Sequence, residues 1–193
     1  MIDRSNPRIP AAEVDSQFID RWSPRAFEPT PLTDAQLSTL FEAARWSPSC
    51  YNDQPWLFVY AVTPEDRARF AEALVPANQV WAGRAPLLLY VLCRRRFRHN
   101  GQENRHAPFD AGAAWMALAL QARRLGLHAH AMAGFSREKA GAILGVPQED
   151  YDIMAAVAVG CRGAAELLPE EMAAREKPSD RQPLAEVARE GRF

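Results

Sequence analysis

The chain has 193 residues, a size at the upper end of one ordinary domain, and 48% of them are hydrophobic, enough for a sizeable core. Its formal net charge of −1 argues against a general binder of nucleic acid or of anionic membranes. The longest apolar runs, residues 56–62 and 86–93, are far too short to cross a bilayer, and the N-terminal residues contain no apolar signal core. We therefore expect one domain over residues 1–193, in a soluble cytoplasmic protein with no nucleic-acid or membrane partner.

The predicted elements alternate between helices and strands. The capping box Thr33–Gln36 opens a helix that runs to about Trp46, and Pro48 ends it. Apolar residues at i, i+3, i+4 and i+7 give this helix one buried stripe. The later elements are a strand over 56–62, a helix over 63–74, a strand over 87–93, a helix over 111–125 with Gly126 as its C-cap, a helix over 136–145 and a strand over 154–161.

The predicted helix over residues 111–125 is apolar on every side. A helix of this composition is buried on every side. In a domain this small, that burial indicates a second subunit covering one face. The two ends of the chain, in contrast, are polar. We expect residues 1–15 to form an N-terminal extension and the proline-interrupted residues 170–193 to form an arm outside the core.

The cysteines and histidines do not form a metal-binding pattern. Cys50, Cys93 and Cys161 are widely spaced and include no CxxC pair, so they fit neither a disulfide framework nor a zinc site. His128 and His130 alternate, which in a strand places both on one face, but no further ligand lies nearby in the sequence. A structural role is favoured for both, and no metal is expected.

The letters RWSP occur twice, in different surroundings. In the first copy, Arg21, Ser23 and Arg25 occupy alternate positions. Pro24 favours an extended backbone before it, and alternate side chains of an extended chain point the same way. Two guanidinium groups and one hydroxyl would then project together, which suits a phosphate. The alternative is an exposed polar segment.

The second copy ends a helix and leads into the loop PSCYNDQPW. Pro48 and Pro55 bound this loop, which offers hydroxyl and amide groups from Ser49, Asn52 and Gln54. These groups suit the hydrogen-bonding edge of a flat heterocycle. The alternative is a well-fixed turn that only leads into the following strand.

Together and in this order, the two copies resemble the opening of the nitroreductase family of flavoproteins. That family has a basic R-R-S-x-R near its N-terminus and, after a helix, A-P-S-x-x-N-x-Q-P-W. The segments GLHAHAMAGF and AVAVGCRGAAELLPEEMAAREKPSDRQPLAEV resemble the family's segment beside the flavin and its last strand with the C-terminal arm. The resemblance covers about residues 21–187.

The resemblance implies an α+β, nitroreductase-like fold, with a central, mainly antiparallel sheet wrapped by helices. It implies an intertwined homodimer with C-terminal arm exchange and two FMN sites at the interface. It further implies hydride transfer from NADH or NADPH through flavin N5 to a small electrophilic acceptor, such as a nitroaromatic or a quinone, by a ping-pong mechanism. We expect no dedicated catalytic acid or base. The sequence also lacks a GxGxxG fingerprint. This agrees with the ping-pong mechanism, because a nicotinamide that binds at the flavin needs no separate dinucleotide fold.

Roles transfer by motif position. Arg21 and Ser23 resemble contacts to the FMN phosphate and ribityl chain, and Trp22 would contribute mainly its backbone. Arg25 resembles the basic residue near flavin N1, where a cation stabilises the anionic reduced ring. The remaining expected cofactor contacts are Arg181 with Ser179 at the phosphate, Met132, Ala133 and Gly134 beside N5, and Pro48, Ser49, Cys50 and Asn52 in the loop that reaches the ring from the partner subunit.

This sequence also departs from the family pattern. Trp22 stands where the family often has Arg or His, Ser179 lies near the position of a common lysine, and Cys50 replaces a small Ser or Ala. A further hypothesis places Arg94–Arg98 and Phe109 at the mouth of the flavin pocket, where the arginines would attract a phosphorylated nicotinamide or an acidic substrate. A solvated loop is the alternative.

Two other functions remain compatible with the same motifs. One is a specialised flavin enzyme of this fold, either an oxidative dehydrogenase or an enzyme that modifies flavin itself. The other is a protein that binds or senses FMN without turnover.

Overall fold

The computed structural model describes residues 6–193, so the first five residues of the expected N-terminal extension lie outside the described part. A four-stranded sheet in the order β1-β2-β4-β3 forms the centre, and every neighbouring pair in it is antiparallel. The expected antiparallel sheet of an α+β fold is therefore confirmed. The strands are β1 (Trp56–Ala61), β2 (Leu87–Arg94), β3 (His128–Met132) and β4 (Tyr151–Gly160).

Helices cover both faces of this sheet, as expected. They are α1 (Ser16–Asp20), α2 (Asp34–Arg45), α3 (Pro64–Ala71), α4 (Pro76–Ala82), α5 (Ala107–Arg124), α6 (Arg137–Leu144), α7 (Glu170–Ala173) and α8 (Leu184–Val187). On one face α2 and α5 pack around Leu40 and Leu118, and on the other α3, α4 and α6 pack around Phe70 and Trp81. Strand β2 is buried along seven of its eight residues, which explains its uninterrupted apolar sequence.

Local sequence signals set several element ends. The capping box is present: the Thr33 hydroxyl accepts from the Gln36 amide at 3.1 Å, and the Gln36 side chain accepts from the Thr33 amide at 2.9 Å. Gly126 follows the last turn of α5 with a φ of 76°, a left-handed conformation that glycine adopts without strain. Helix α5 begins at Ala107, four residues before the predicted start.

Four short helices, α1, α4, α7 and α8, and the strand β3 were not predicted. The predicted helix over 63–74 ends at Ala71, after which the amide of Leu74 donates to the Ala71 carbonyl at 3.0 Å in a tight turn. A separate helix, α4, then begins at Pro76. Helix α1, capped by the Asp15 carboxylate, has only five residues. Helices of this length do not show a readable apolar period.

The expectation that α5 is buried on every side is not met within one chain. Ala114, Leu118 and Ala122 are buried against the sheet and α2. The opposite side is partly open to solvent, with Met116 exposed and Trp115 half-buried. One chain therefore leaves an apolar stripe of its longest helix uncovered.

Candidate active site

Arg8 joins the first RWSP segment to the C-terminal arm. Its Nη1 atom donates to the carbonyl oxygens of Arg21 at 2.8 Å and Ile19 at 2.9 Å. Its Nε atom donates to the carbonyl oxygen of Ser179 at 2.7 Å. Arg181 lies beside this contact, and its Nη1 atom is 3.3 Å from the Ser179 hydroxyl. Arg8, Arg21 and Arg181 thus meet on one surface, and we refer to them as the arginine cluster.

The arginine cluster is a cationic site. Burial lowers the pKa of Arg21, and the charges of Arg181 and Arg8 lower this pKa further. The pKa of Arg8 is also lowered, first by burial and then by Arg181, while the Asp180 carboxylate acts in the opposite direction. In residues 6–193, no member of the cluster forms an ion pair. Such a group of guanidinium donors is suited to a phosphate.

Residues 21–25, which begin at Arg21 of the arginine cluster, have the extended conformation predicted from the alternate positions of Arg21, Ser23 and Arg25. Arg21, Ser23 and Arg25 are partly exposed, whereas Trp22 and Pro24 between them are buried. The Arg21 guanidinium donates to the Ser23 hydroxyl at 3.3 Å. At roughly 3.3 Å per extended residue, Arg25 lies about 13 Å further along the chain than Arg21.

Arg25 lines a cavity of about 250 Å³ together with Asn78, Trp81 and Met172. The backbone at this position is fixed by Glu176. One oxygen of its carboxylate accepts from the amide of Arg25 at 2.6 Å and from the next amide at 2.8 Å. This contact also fixes the start of the C-terminal arm next to the cavity.

Gly134 adjoins this cavity and cannot carry a larger side chain without displacing its neighbours. Its carbonyl oxygen accepts from the Asn78 side chain and from the Val75 amide, both at 3.0 Å. A Cβ atom at Gly134 would lie 2.6 Å from Asn78 Nδ2 and 2.9 Å from Val75 Cγ2. Ala133 is exposed beside it. The Met132 side chain is buried in the core, which leaves only its backbone for a ligand.

His130 lies below the extended segment and is held in its neutral form. Its ring centre is 4.6 Å from that of Trp81, and Nδ1 is 2.8 Å from the Pro24 carbonyl oxygen. Burial lowers the pKa of His130 to about 4, and the charges of Arg25 and Arg21 act in the same direction. The structural role predicted for this histidine agrees with its position.

The second RWSP copy leads to a loop with an unusual backbone. In the described part of the chain, the non-glycine residues with positive φ are Tyr51 at 53°, Asn52 at 53° and Gln54 at 49°, all within residues 48–55. Left-handed conformations in non-glycine residues persist when surrounding contacts hold them, and they are common at binding sites. Asn52 and Pro48 are exposed on this loop, and Ser49 and Cys50 are half-buried.

Buried hydrogen bonds hold the loop in this shape. The Asp53 side chain is 1% exposed, and its Oδ2 atom lies 2.6 Å from Arg94 Nη2. Its Oδ1 atom accepts from the Arg98 amide at 2.8 Å. Burial alone would raise the pKa of Asp53, but the hydrogen bonds from Arg98 and Arg94 outweigh it and lower the pKa. The Ser49 hydroxyl also accepts from the Gln54 amide at 3.0 Å.

The two predicted contact regions lie at opposite ends of α5. The Cys50 amide donates to Asp110 in the first turn of this helix at 3.1 Å. Trp22 lies against His128, just after the helix ends, with ring centres 6.1 Å apart. The axial rise of about 1.5 Å per residue separates the first and last turns by roughly 20 Å. We call residues 48–55 the loop half-site, and the arginine cluster with the Arg25 cavity the arginine half-site.

The hypothesis for the arginine-rich segment is wrong for Arg94, which is committed to the ion pair with Asp53. Arg95 pairs with Asp152 at 2.7 Å, and Arg96 donates to the Gly101 carbonyl oxygen at 3.2 Å. Phe109 is 81% exposed, next to the helix turn that anchors the loop half-site.

Residues 6–193 contain no group of three His, Cys, Asp or Glu side chains arranged to hold a metal ion. No helix in the same residues is long and apolar enough to cross a membrane. Cys50, Cys93 and Cys161 are free thiols.

The chain belongs to the nitroreductase family, whose sequence model matches residues 19–80 and 73–161. This confirms the family expected from the two motifs. A crystal structure described as an oxidoreductase containing FMN is 43% identical, covers 98% of each chain and has a TM-score of 0.92. The nitroreductase-like fold is thereby confirmed as well.

Curated relatives carry enzyme names. An NADH dehydrogenase from Thermus thermophilus is 27% identical over 182 residues, which are 79% of this chain and 88% of the relative. A Streptomyces coelicolor protein with the provisional name NADH dehydrogenase/NAD(P)H nitroreductase is 33% identical over 94 residues. That match covers 49% of this chain and 46% of the relative, so the chain spans about half the length of that relative.

Four residues of the two half-sites escaped the sequence reasoning. Arg8 and Glu176 act through hydrogen bonds to residues more than 150 positions away, Ser179 and Arg25 respectively. No local spacing in the sequence reveals such contacts. Asn78 follows Pro76 in a helix too short to be predicted. Asp53 stands inside the loop PSCYNDQPW, and its charge among uncharged neighbours was the available signal.

Proposed function

We propose that residues 1–193 form one FMN-binding domain of an oxidoreductase that takes hydride from NADH or NADPH. Support comes from the family, from the FMN-containing structure at 43% identity and from relatives named as NADH dehydrogenases or NAD(P)H nitroreductases. In this proposal residues 1–15 are an N-terminal extension and residues 170–193 are an arm. A small electrophilic acceptor and a cytoplasmic location stay predictions from the sequence.

The residues of the arginine half-site fit FMN. The arginine cluster would hold the phosphate, and Ser23 would contact the ribityl chain. Arg25 would meet the edge of the ring, about 13 Å along the chain from Arg21. Gly134 would support the wall of this cavity. The space left by its missing Cβ is occupied by the side chains of Asn78, which lines the cavity, and Val75.

The same proposal requires two copies of the chain. The loop half-site and the arginine half-site are separated by most of the length of α5, and this separation favours a flavin held by two chains. A second copy, packed on the uncovered apolar side of α5, would bring its loop to the ring. Pro48, Ser49, Cys50 and Asn52 would then frame the ring from the neighbouring subunit, which makes two FMN sites per homodimer.

The chemistry assigned to FMN is hydride transfer at N5, first from the nicotinamide and then to the acceptor, in ping-pong order. Arg25 would stabilise the negative charge that reduction places near N1. Ala133 and Gly134 would position their backbone beside N5. His130 stays neutral beneath this segment, so the positive charge there would come from Arg25. No side chain in this arrangement is assigned as a catalytic acid or base, so water would supply the protons.

The observation that carries the proposal is the arginine cluster at one end of an extended segment that ends in a cavity. Its three guanidinium groups have no ion-paired carboxylate among residues 6–193. The first test is the absorbance spectrum of the purified protein, with identification of any released cofactor. We expect FMN. A colourless protein that refuses added FMN would overturn the proposal.

The second test separates an enzyme from a flavin store or sensor. Rapid mixing with NADH or NADPH should bleach the flavin absorbance, and a nitroaromatic or quinone should restore it. Bound flavin that neither nicotinamide bleaches would favour a binding or sensing role. Bleaching without reoxidation by these acceptors would favour a specialised enzyme of the same fold.

A further inference from the structure

We propose that Arg8, from the segment before the first motif, is a phosphate-binding residue of the FMN site. The inference rests on the proposed function, because it concerns how that cofactor is held. Arg8 would supply the third guanidinium of the arginine cluster, beside Arg21 and Arg181.

The motif itself provides one arginine at the phosphate end. Trp22, the neighbour of Arg21, is 5% exposed, and its ring lies edge-on against His128. Its side chain therefore faces away from the surface on which Arg21 and Ser23 lie. A second strong donor from the N-terminal half must come from outside the motif.

Arg8 occupies a suitable position. Its hydrogen bonds to the carbonyls of Ile19 and Arg21 hold the guanidinium against the phosphate segment. The bond from Nε to the Ser179 carbonyl places it at the base of the arm that carries Arg181. Because these bonds use Nε and Nη1, the Nη2 edge of the planar fork is left for a ligand.

The charge environment argues against a purely structural tie. A neutral amide could donate to the same carbonyl oxygens without repulsion. Arg8 instead places a full charge near Arg21 and Arg181. The charge of Arg181 helps to lower the pKa of Arg8, and the charges of Arg181 and Arg8 help to lower the pKa of Arg21. Among residues 6–193, the carboxylate that acts on Arg8 in the stabilising direction is that of Asp180, and the charge of Arg181 acts against it. A bound phosphate dianion would remove this repulsion.

The same contacts let Arg8 link the two ends of the chain. It bridges two segments that lie 171 positions apart in the sequence, residues 8 and 179. If the phosphate binds between Arg8, Arg21 and Arg181, cofactor binding should order both ends of the chain together. Riboflavin, which lacks the phosphate, should not have this effect.

The test compares two flavins on apoprotein prepared from the full chain. Flavin fluorescence quenching gives the Kd of FMN and of riboflavin for wild type, Arg8→Ala, Arg8→Lys and the control Arg137→Ala. Arg137 is an exposed arginine at the start of α6, so its substitution removes the same charge away from the site. We expect Arg8→Ala to weaken FMN binding by roughly tenfold to a hundredfold, the range for a lost charged hydrogen bond.

Arg8→Lys should recover part of this loss, because it keeps the charge but not the fork. Riboflavin affinity should be unchanged in all variants, and the FMN affinity of Arg8→Ala should depend less steeply on salt. Equal losses for both flavins, or full FMN affinity in Arg8→Ala, would overturn the role of Arg8. Wild-type protein that binds neither flavin would instead overturn the proposed function.

Discussion

The carboxylate of Asp53 and the guanidinium of Arg94 lie 2.6 Å apart, with side-chain exposures of 1% and 15%. This buried pair ties the loop half-site to the end of β2. The same carboxylate accepts from the amide of Arg98 and from the side chain of Asn104. The left-handed backbone on both sides of Asp53 depends on these contacts.

Replacing Asp53 by Asn should therefore destabilise the protein and loosen the loop. The amide introduced by this substitution could not neutralise the charge of Arg94. Its NH₂ group would also face hydrogen-bond donors, because the carboxylate that it replaces accepts from Arg94, Arg98 and Asn104. Removing one partner of a buried ion pair costs about 3–5 kcal/mol. Urea unfolding measures this loss. The control is Asp152→Asn, which breaks the half-exposed pair with Arg95 and should change little. Equal effects of the two substitutions would contradict the anchoring role of Asp53.

Arg25 is expected to set the reduction potential of the bound flavin. Its cation should stabilise the reduced, anionic ring, so Arg25→Ala should lower the midpoint potential while Arg25→Lys should largely preserve it. For a two-electron couple, a loss of about 1.4 kcal/mol corresponds to about 30 mV. Dye-equilibrated reduction measures the shift, with Arg137→Ala as the charge control. An unchanged or raised potential in Arg25→Ala would contradict this role.

Gly134 is expected to tolerate no side chain. In Gly134→Ala, the new Cβ would displace the side chains of Asn78 and Val75, and the hydrogen bond from Asn78 to the Gly134 carbonyl would be lost. We expect a stability loss of about 1–3 kcal/mol and weaker binding of FMN and riboflavin alike. The matched control is Gly83→Ala, since a Cβ there would meet one backbone oxygen at the ordinary distance of 3.9 Å. Similar flavin affinities in both variants would speak against the close approach at Gly134.

His130 should make the protein less stable in mild acid. Because its folded-state pKa is lowered from 6.5 to about 4, the unfolded chain takes up the proton first as the pH falls. The unfolding free energy should therefore fall between pH 6.5 and pH 4, by up to about 3 kcal/mol. His130→Asn keeps a donor for the Pro24 carbonyl and cannot be protonated. Urea unfolding at several pH values should show a shallower fall for this variant. Parallel pH profiles for variant and wild type would refute the assignment.

The helices and strands that depend on local sequence patterns could be predicted from the sequence. The capping box at Thr33, the glycine after α5 and the apolar run of β2 each depend on residues a few positions apart. The alternation of Arg21, Ser23 and Arg25 was equally readable, because an extended chain has a fixed period of two. These features located most of the sheet, the longer helices and one face of the arginine half-site.

The rest depends on contacts between distant segments. Neither the hydrogen bond from Arg8 to the Ser179 carbonyl nor the hydrogen bond from the Arg25 amide to Glu176 has a local signal in the sequence. Helix α5 shows a second limit of prediction from the sequence. Its apolar composition predicted burial on all faces, but composition does not distinguish burial within one chain from burial against another. Arg94 looked like an available cation because its partner, Asp53, lies 41 positions earlier.

Each flavin is proposed to lie between the arginine half-site of one chain and the loop half-site of its partner. Mixed dimers test this arrangement directly. One differently tagged chain carries Arg21→Ala with Arg181→Ala, and the other carries Ser49→Ala with Asn52→Ala. In a mixed dimer both lesions then fall on one of the two sites, and the other site is built from unaltered residues.

FMN content of the purified mixed dimers is the measurement, with each homodimer variant as the control for loss of binding. If the half-sites come from different subunits, the mixed dimer should bind one FMN although neither parent homodimer binds any. If both half-sites of a flavin come from the same chain, every site in the mixed dimer carries a lesion. A mixed dimer without FMN, or a protein that remains a monomer, would contradict the account.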